Sequence, residues 1–206
     1  MPQPVFFLLA GPNGAGKSSL YRAAVADGLI PETAEFVNAD LHERAHLQHV
    51  QDPERRSAAA REWADARRAA LLAQGKTFVS ETVFSHESKL LLIEQAQRSG
   101  FLVVLLVVCL DHPQRLLERV RQRVQEGGHD VPADRILARY PRTLAFLARA
   151  VRQADMALLY DTGAVPDQDG FNRPVRVATC RKQATTRLVK PLPQWAKTVL
   201  SRKPVH

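Results

Sequence analysis

VFFLLAGPNGAGKSSL, residues 5–20, decides the fold. Val5, Phe6, Phe7, Leu8 and Leu9 form a continuous apolar run, as expected of a strand buried on both faces. Gly11, Gly16, Lys17 and Ser18 then complete the spacing G-x-x-x-x-G-K-S, and residues 18–27 can form a helix ended by Gly28. A strand before and a helix after distinguish a phosphate-binding loop from a glycine turn with a capping serine. Glycines let the backbone wrap an anion, and the loop amides and helix N-terminus favour negative charge. A nucleotide phosphate is therefore expected on Gly11, Pro12, Asn13, Gly14, Ala15, Gly16, Lys17, Ser18 and Ser19. Lys17 is expected to reach the β and γ phosphates, and the Ser18 hydroxyl to lie on Mg2+.

Outward from this stretch, strands and helices alternate. Strands are predicted at residues 35–38, 77–80, 101–110, 156–160 and 175–180. Helices are predicted at 53–74, 87–98, from 113 up to Gly127, and at 132–154 with a kink at Pro141. The alternation implies βαβ units, hence an α/β P-loop NTPase fold with a mainly parallel sheet and flanking helices. At 206 residues, 45% hydrophobic and 24% charged, the chain reads as one globular domain rather than a disordered or collagen-like one.

The net charge of +8 is unevenly placed. Residues 1–180 hold 22 basic and 21 acidic residues, whereas 181–206 hold seven basic residues and no acid. The expected organisation is a kinase-type domain over 1–180 and a basic C-terminal tail over 181–206, packed on the domain or extending from it. Two cysteines, Cys109 and Cys180, cannot build a disulfide framework. With no apolar run longer than ten residues and no signal peptide read at the N-terminus, a cytoplasmic location without membrane partners is expected.

A phosphate loop serves kinases, GTPase switches and ATPase motors. No N-K-x-D guanine motif is present, the D-x-x-G match at 167–170 lies in a loop, and no strand ends in an Asp-Glu pair. Size and missing signatures favour a small-molecule kinase. Such an enzyme needs a carboxylate for the acceptor hydroxyl and oxygens around Mg2+. In open α/β sheets ligands gather beyond the carboxyl ends of the strands, where Asp40 and Glu81 stand. Two roles are open for Asp40: a catalytic or metal-binding acid, or the capping residue of a helix starting at Asp40-Leu41-His42-Glu43. Glu81 is read as an acceptor-site residue against a plain turn acid. Asp111 is read first as the cap of the helix that follows it.

Nine arginines lie between Arg115 and Arg152, on either side of Gly127-Gly128-His129-Asp130-Val131-Pro132. Two helices joined by a glycine hinge, with convergent arginines, suit an Arg-rich lid over phosphates at about 115–154. Arginine keeps its charge and binds phosphate oxygens through two donors. For any single arginine the alternative is a solvated charged face.

Taken in order, GPNGAGKSSL, FVNAD, GKTFVSET, RVRQRVQEGGHDVPADRILARYPR and ALLYDTG resemble the zeta toxin family of P-loop kinases in a compact, single-domain form. The resemblance covers roughly residues 5–200 and implies transfer of the ATP γ-phosphoryl group to a hydroxyl. In the family the acceptor is a sugar hydroxyl of UDP-N-acetylglucosamine. It implies Asp40 as the catalytic base and Glu81 as the acid after the third strand. Lid arginines carry over only approximately: Arg123 first, then Arg119, Arg139 and Arg142, with His129 in the hinge. The expected partner is a small, anionic acceptor, with an antitoxin protein to look for. Nucleic acid is not expected. The rivals are a kinase for another small alcohol, an antibiotic or a sugar, and a nucleotide-gated RNA-binding protein using the basic tail.

Overall fold

The computed structural model describes residues 2–125, 132–163, 173–182 and 184–201. The apolar run at the start of the chain forms β1 (Val5–Ala10). It is followed by α1 (Lys17–Ala26), β2 (Glu35–Val37), α2 (Ala39–His46), α3 (Pro53–Ala73) and β3 (Phe78–Thr82). A 3-10 turn at Glu87–Lys89 leads into α4 (Leu90–Arg98), then β4 (Leu102–Cys109), α5 (Pro113–Gln125), α6 (Ala133–Gln153) and β5 (Met156–Asp161). β6 (Val175–Arg181), β7 (Ala184–Arg187) and α7 (Gln194–Leu200) complete the chain.

The seven strands form one sheet in the order β2-β3-β1-β4-β5-β6-β7. β1 to β5 pair in parallel, and β6 and β7 are added antiparallel at one edge. β1 lies between β3 and β4, with Phe6 opposite Phe78 and Val103. Burial on both faces explains its unbroken apolar sequence. Phe6, Leu8 and Ala10 face one core with Leu71, Ile93 and Leu147. Phe7 and Leu9 face the other with Leu20, Leu116 and Val120. β4 divides in the same way, residue by residue, because successive side chains point to opposite faces.

The predicted elements up to β6 are present, with boundaries shifted by a residue or two. One shift matters: β3 runs through Glu81 and Thr82, so Glu81 is the penultimate residue of the strand rather than a residue after it. α6 continues through Pro141 as one helix. Leu144, Leu147, Ala150 and Val151 of α6 pack into the core, so the second half of the 115–154 segment is a structural layer of the domain.

The sequence reading missed β7 and α7, and held α2 only as one of the two alternatives for Asp40. In the region read as a tail, residues 184–187 extend the sheet and α7 packs against α6. Trp195 of α7 is only 1% exposed and belongs to the main core. Asp111 corrects the sequence reading as well. It caps a helix, but that helix is α7: its carboxylate accepts hydrogen bonds from the backbone N–H groups of Gln194, at 2.9 Å, and Trp195, at 2.6 Å. The N-terminal amides of α7 follow Pro191 and Pro193 and have no nearby serine, threonine or aspartate in sequence, so an acid from the end of β4 satisfies them.

Two outcomes follow from this packing. Replacing Trp195 with alanine removes a fully buried ring and should cost about 3–5 kcal/mol, lowering Tm by roughly 6–20 °C for a chain of this size. Thermal unfolding checks it, and a drop under about 2 °C would show that α7 is not part of the core. Burial holds the Cys109 thiol up at about 12, against 9.0 for a free thiol. This group therefore contributes stability below pH 9 that is lost as pH rises through about 12, because the unfolded thiol ionises first. At pH 8 Cys109 should resist alkylation in the native state and react on unfolding, as read by peptide mass analysis.

Candidate active site

The loop between β1 and α1 is held by its own backbone and by β3. The Ala15 N–H donates to the Pro12 carbonyl at 3.2 Å, and the Gly11 N–H donates to the Thr82 carbonyl at 3.3 Å. Gly14 has φ +78°, and a Cβ there would lie 2.6 Å from the Leu116 carbonyl oxygen of α5. No side chain fits that space, and the backbone conformation itself disfavours one. Gly16, at φ +95°, is the N-cap residue of α1, whose first amides receive no side-chain cap. A helix N-terminus left open in this way, with loop amides around it, is a ready anion site.

Lys17, the first residue of α1, is 8% exposed. Its Nζ donates to the carbonyls of Gly11, at 3.1 Å, and Pro12, at 3.3 Å, folding the side chain back over the loop. Burial lowers its pKa, while Glu81 and Asp40 favour its charged form and Arg123 opposes it. Three of the sequence-predicted residues thus converge electrostatically on the loop lysine. Glu81 reaches this position because β3 pairs with β1 so that Glu81 lies beside Leu9. Its Oε2 is buried without a hydrogen-bond partner, a costly arrangement unless a ligand or cation completes it.

Asp40 comes from the segment beyond β2, the next strand over. The two roles open to it are separated here. Asn38 is the N-cap of α2, its Oδ1 accepting from the Leu41 N–H at 3.1 Å. Asp40 lies in the first turn, exposed, with its carboxylate released from capping. Next to it, His42 stacks on Trp63 of α3 with ring centroids 3.8 Å apart and planes within 4°. Burial and then the neighbouring His46 lower the His42 pKa. Ser18 is exposed beside Lys17 at the start of α1.

The arginines divide. Arg123, on α5, acts on Lys17. Arg119, also on α5, points instead to the end of β5, donating to Thr162 Oγ1 at 3.0 Å and to the Thr162 carbonyl at 2.6 Å. Burial, followed by the charge of Arg115, lowers its pKa. Arg139 is half-buried and Arg142 exposed on α6, and neither is among the charges acting on Lys17. His129 lies outside the described residues. Residues the sequence reading missed are Asn38 and Thr162. Thr162 had a usable signal: it follows the apolar strand Ala157-Leu158-Leu159, so it stands at a strand's carboxyl end, where such sheets place ligands.

The donor set fits a nucleotide polyphosphate: an uncapped helix start, a glycine that only a bare backbone can occupy, and a lysine beside them. Among the described residues, no three His, Cys, Asp or Glu side chains are grouped to hold a metal ion by themselves. A divalent cation here would need oxygens from the phosphates together with Ser18.

Comparison with known proteins agrees with this geometry. A family model described as AAA domain (AAA_33) matches residues 6–147, more than half of the chain. The chain belongs to that family. No curated protein sequence matches this AAA domain. Among solved structures it is similar to a chain of the PezAT chromosomal toxin–antitoxin system of Streptococcus pneumoniae. That match has a TM-score of 0.67 and 17% identity, and covers 91% of this chain and 76% of the other. A complex of AvrRxo1-ORF1 and AvrRxo1-ORF2 with ATP matches with TM-score 0.67 and 17% identity, covering 90% of this AAA domain and 61% of that chain. A kinase-like protein from Chloroflexus aurantiacus matches with TM-score 0.50 and 17% identity, over 62% of this chain and 70% of that one. At these identities the likeness is one of fold.

Replacing Asn38 with alanine should cost about 1 kcal/mol, or roughly 2–4 °C in Tm, because the α2 cap is lost. Asp40→Asn should leave Tm within about 1 °C, since the cap is elsewhere. The reverse pattern would return Asp40 to a capping role.

Proposed function

We propose that this protein is an ATP-dependent kinase that transfers the γ-phosphoryl group to a hydroxyl of a small anionic acceptor, with UDP-N-acetyl sugars the first class to test. The observation that carries the reading is the meeting of Lys17, Glu81, Asp40 and Arg123 at an open loop and helix N-terminus. ATP supplies the phosphoryl group, and its phosphates fit the loop amides. Lys17 and Arg123 offset the charge on the transferring group. Ser18 would hold Mg2+ together with the phosphates. Asp40, exposed and free of capping duty, takes the acceptor proton, as a carboxylate at hydrogen-bond reach of the hydroxyl can. Glu81, with one oxygen lacking a partner, orients the acceptor or a water of the metal shell. Arg139, Arg142 and His129 are the candidates for acceptor phosphate contacts from the lid side.

An antitoxin partner is in keeping with the toxin–antitoxin system whose chain this one resembles in fold. The RNA-binding rival is disfavoured by Trp195. As the only aromatic residue of 181–206, it would have to stack on a base, but it is buried in the core.

The test is ADP release over a panel of acceptors, UDP-sugars first, with two variants. Lys17→Ala should abolish transfer while the protein stays folded. Asp40→Asn should lower kcat by at least about a hundredfold, the lower bound of base catalysis, with nucleotide affinity retained. Near wild-type turnover in Lys17→Ala would end the kinase reading, and unchanged turnover in Asp40→Asn would pass the role of base to Glu81.

A further inference from the structure

The phosphate loop is braced from the side away from Asp40 and Glu81, and the brace ends in α7. Thr162, the residue after β5, is 2% exposed. Its Oγ1 donates to the Ala15 carbonyl, in the middle of the loop, at 2.9 Å. The same oxygen accepts from Arg119 at 3.0 Å, and the Thr162 N–H donates to the Cys109 carbonyl at 3.1 Å. One residue back, Asp161 uses both carboxylate oxygens. Oδ1 accepts from the Gly163 N–H at 2.7 Å, and Oδ2 accepts from the Trp195 indole N–H at 2.7 Å. Arg115 closes the set by donating to the Gly163 carbonyl at 2.6 Å.

The bond to Ala15 has a stereochemical consequence. In a trans peptide, the carbonyl of one residue and the N–H of the next point in opposite directions. Holding the Ala15 carbonyl toward Thr162 therefore turns the Gly16 N–H away from Thr162, toward the open side of the loop. Gly16 at φ +95° has a wide choice of backbone conformations, so its own chemistry does not fix that direction. A Cβ on Gly16 would lie 3.5 Å from the Thr162 methyl, so the two residues are neighbours.

We propose that Thr162 is a positioning residue for the anion-binding amide of Gly16, and that α7 sets its place through the Trp195–Asp161 hydrogen bond. The C-terminal helix, remote in sequence from the loop, thereby governs nucleotide affinity. This rests on the nucleotide-binding reading above, and the experiment separates the two.

The full-length chain and its variants are titrated with MgADP and MgATP by calorimetry, alongside Tm. Thr162→Val keeps the side-chain shape but removes the hydroxyl. It should weaken nucleotide binding about five- to tenfold, the net worth of roughly one hydrogen bond. Thr162→Ser restores the hydroxyl and should bind within about twofold of wild type. Trp195→Phe keeps a ring in the core but loses the indole N–H, and should weaken binding about threefold. A purely structural role would lower Tm and leave the affinity of the folded protein unchanged. Thr162→Val binding within about twofold of wild type, or Thr162→Ser failing to rescue, overturns the proposal. Should Thr162→Val not fold, Trp195→Phe decides: unchanged affinity overturns the link to α7 and the proposal with it. A wild-type protein that binds neither nucleotide overturns the nucleotide reading itself, an outcome distinct from all of these.

Discussion

The ammonium of Lys17 sits almost out of contact with water at the end of a β-sheet. Burial works against its charge, and two loop carbonyls, Glu81 and Asp40 work for it. An uncapped helix start and Arg123 add further positive potential at the same place. The two acids match the two side-chain cations in formal charge and leave the helix start uncompensated. A polyanion would relieve the remaining imbalance and displace the loop carbonyls from the lysine. Much of the molecule can be read as what is needed to hold that lysine and these acids together. The strand order places the ends of β2 and β3 on one side of the loop, and parallel pairing brings Leu9 level with Glu81.

The acids at the strand ends are divided in labour by side. At the ends of β4 and β5, Asp111 and Asp161 are engaged by α7, one by its backbone and the other by its tryptophan. At the ends of β2 and β3, Asp40 is exposed and Glu81 has an oxygen without a partner. Bonding to α7 therefore occupies the carboxylates of one half of the crevice and not those of the other. The His42–Trp63 stack marks that second half with a flat aromatic surface between α2 and α3. The orphaned oxygen of Glu81 and the uncapped start of α1 lie at the same crevice, which is where a fold of this kind tolerates unsatisfied polar groups.

Local pattern carried the reading of the first two-thirds of the chain. The run from Val5 to Leu9 is apolar because β1 is buried on both faces, and the loop that follows is encoded within eight residues. What was not legible depends on distance. Asp111 has the right residue type and position for capping α5, but α7, more than eighty residues later, takes it instead. α7 itself has seven residues, prolines before it and no cap of its own in sequence, so tertiary contacts must supply both its cap and the burial of Trp195. The two roles of Asp40 could not be separated locally, because Asn38 and Asp40 are both good caps and only geometry shows which amide is satisfied. Thr162 offers a hydroxyl like any other until the chain brings Ala15 beside it.

The central place of β1 has a kinetic consequence. It precedes the other strands of the sheet in the chain, yet its partners are β3 and β4, with Phe6 pairing to Phe78 and Val5 to Leu102. Such pairings close long loops before any contact rewards them, which slows folding relative to a chain of local contacts. Until β3 and then β4 have left the ribosome, VFFLLA is an apolar segment with an open hydrogen-bonding edge, the kind of surface on which nascent chains aggregate. The same strand that anchors the phosphate loop in the finished protein is therefore the segment in greatest need of shelter while the protein is being made.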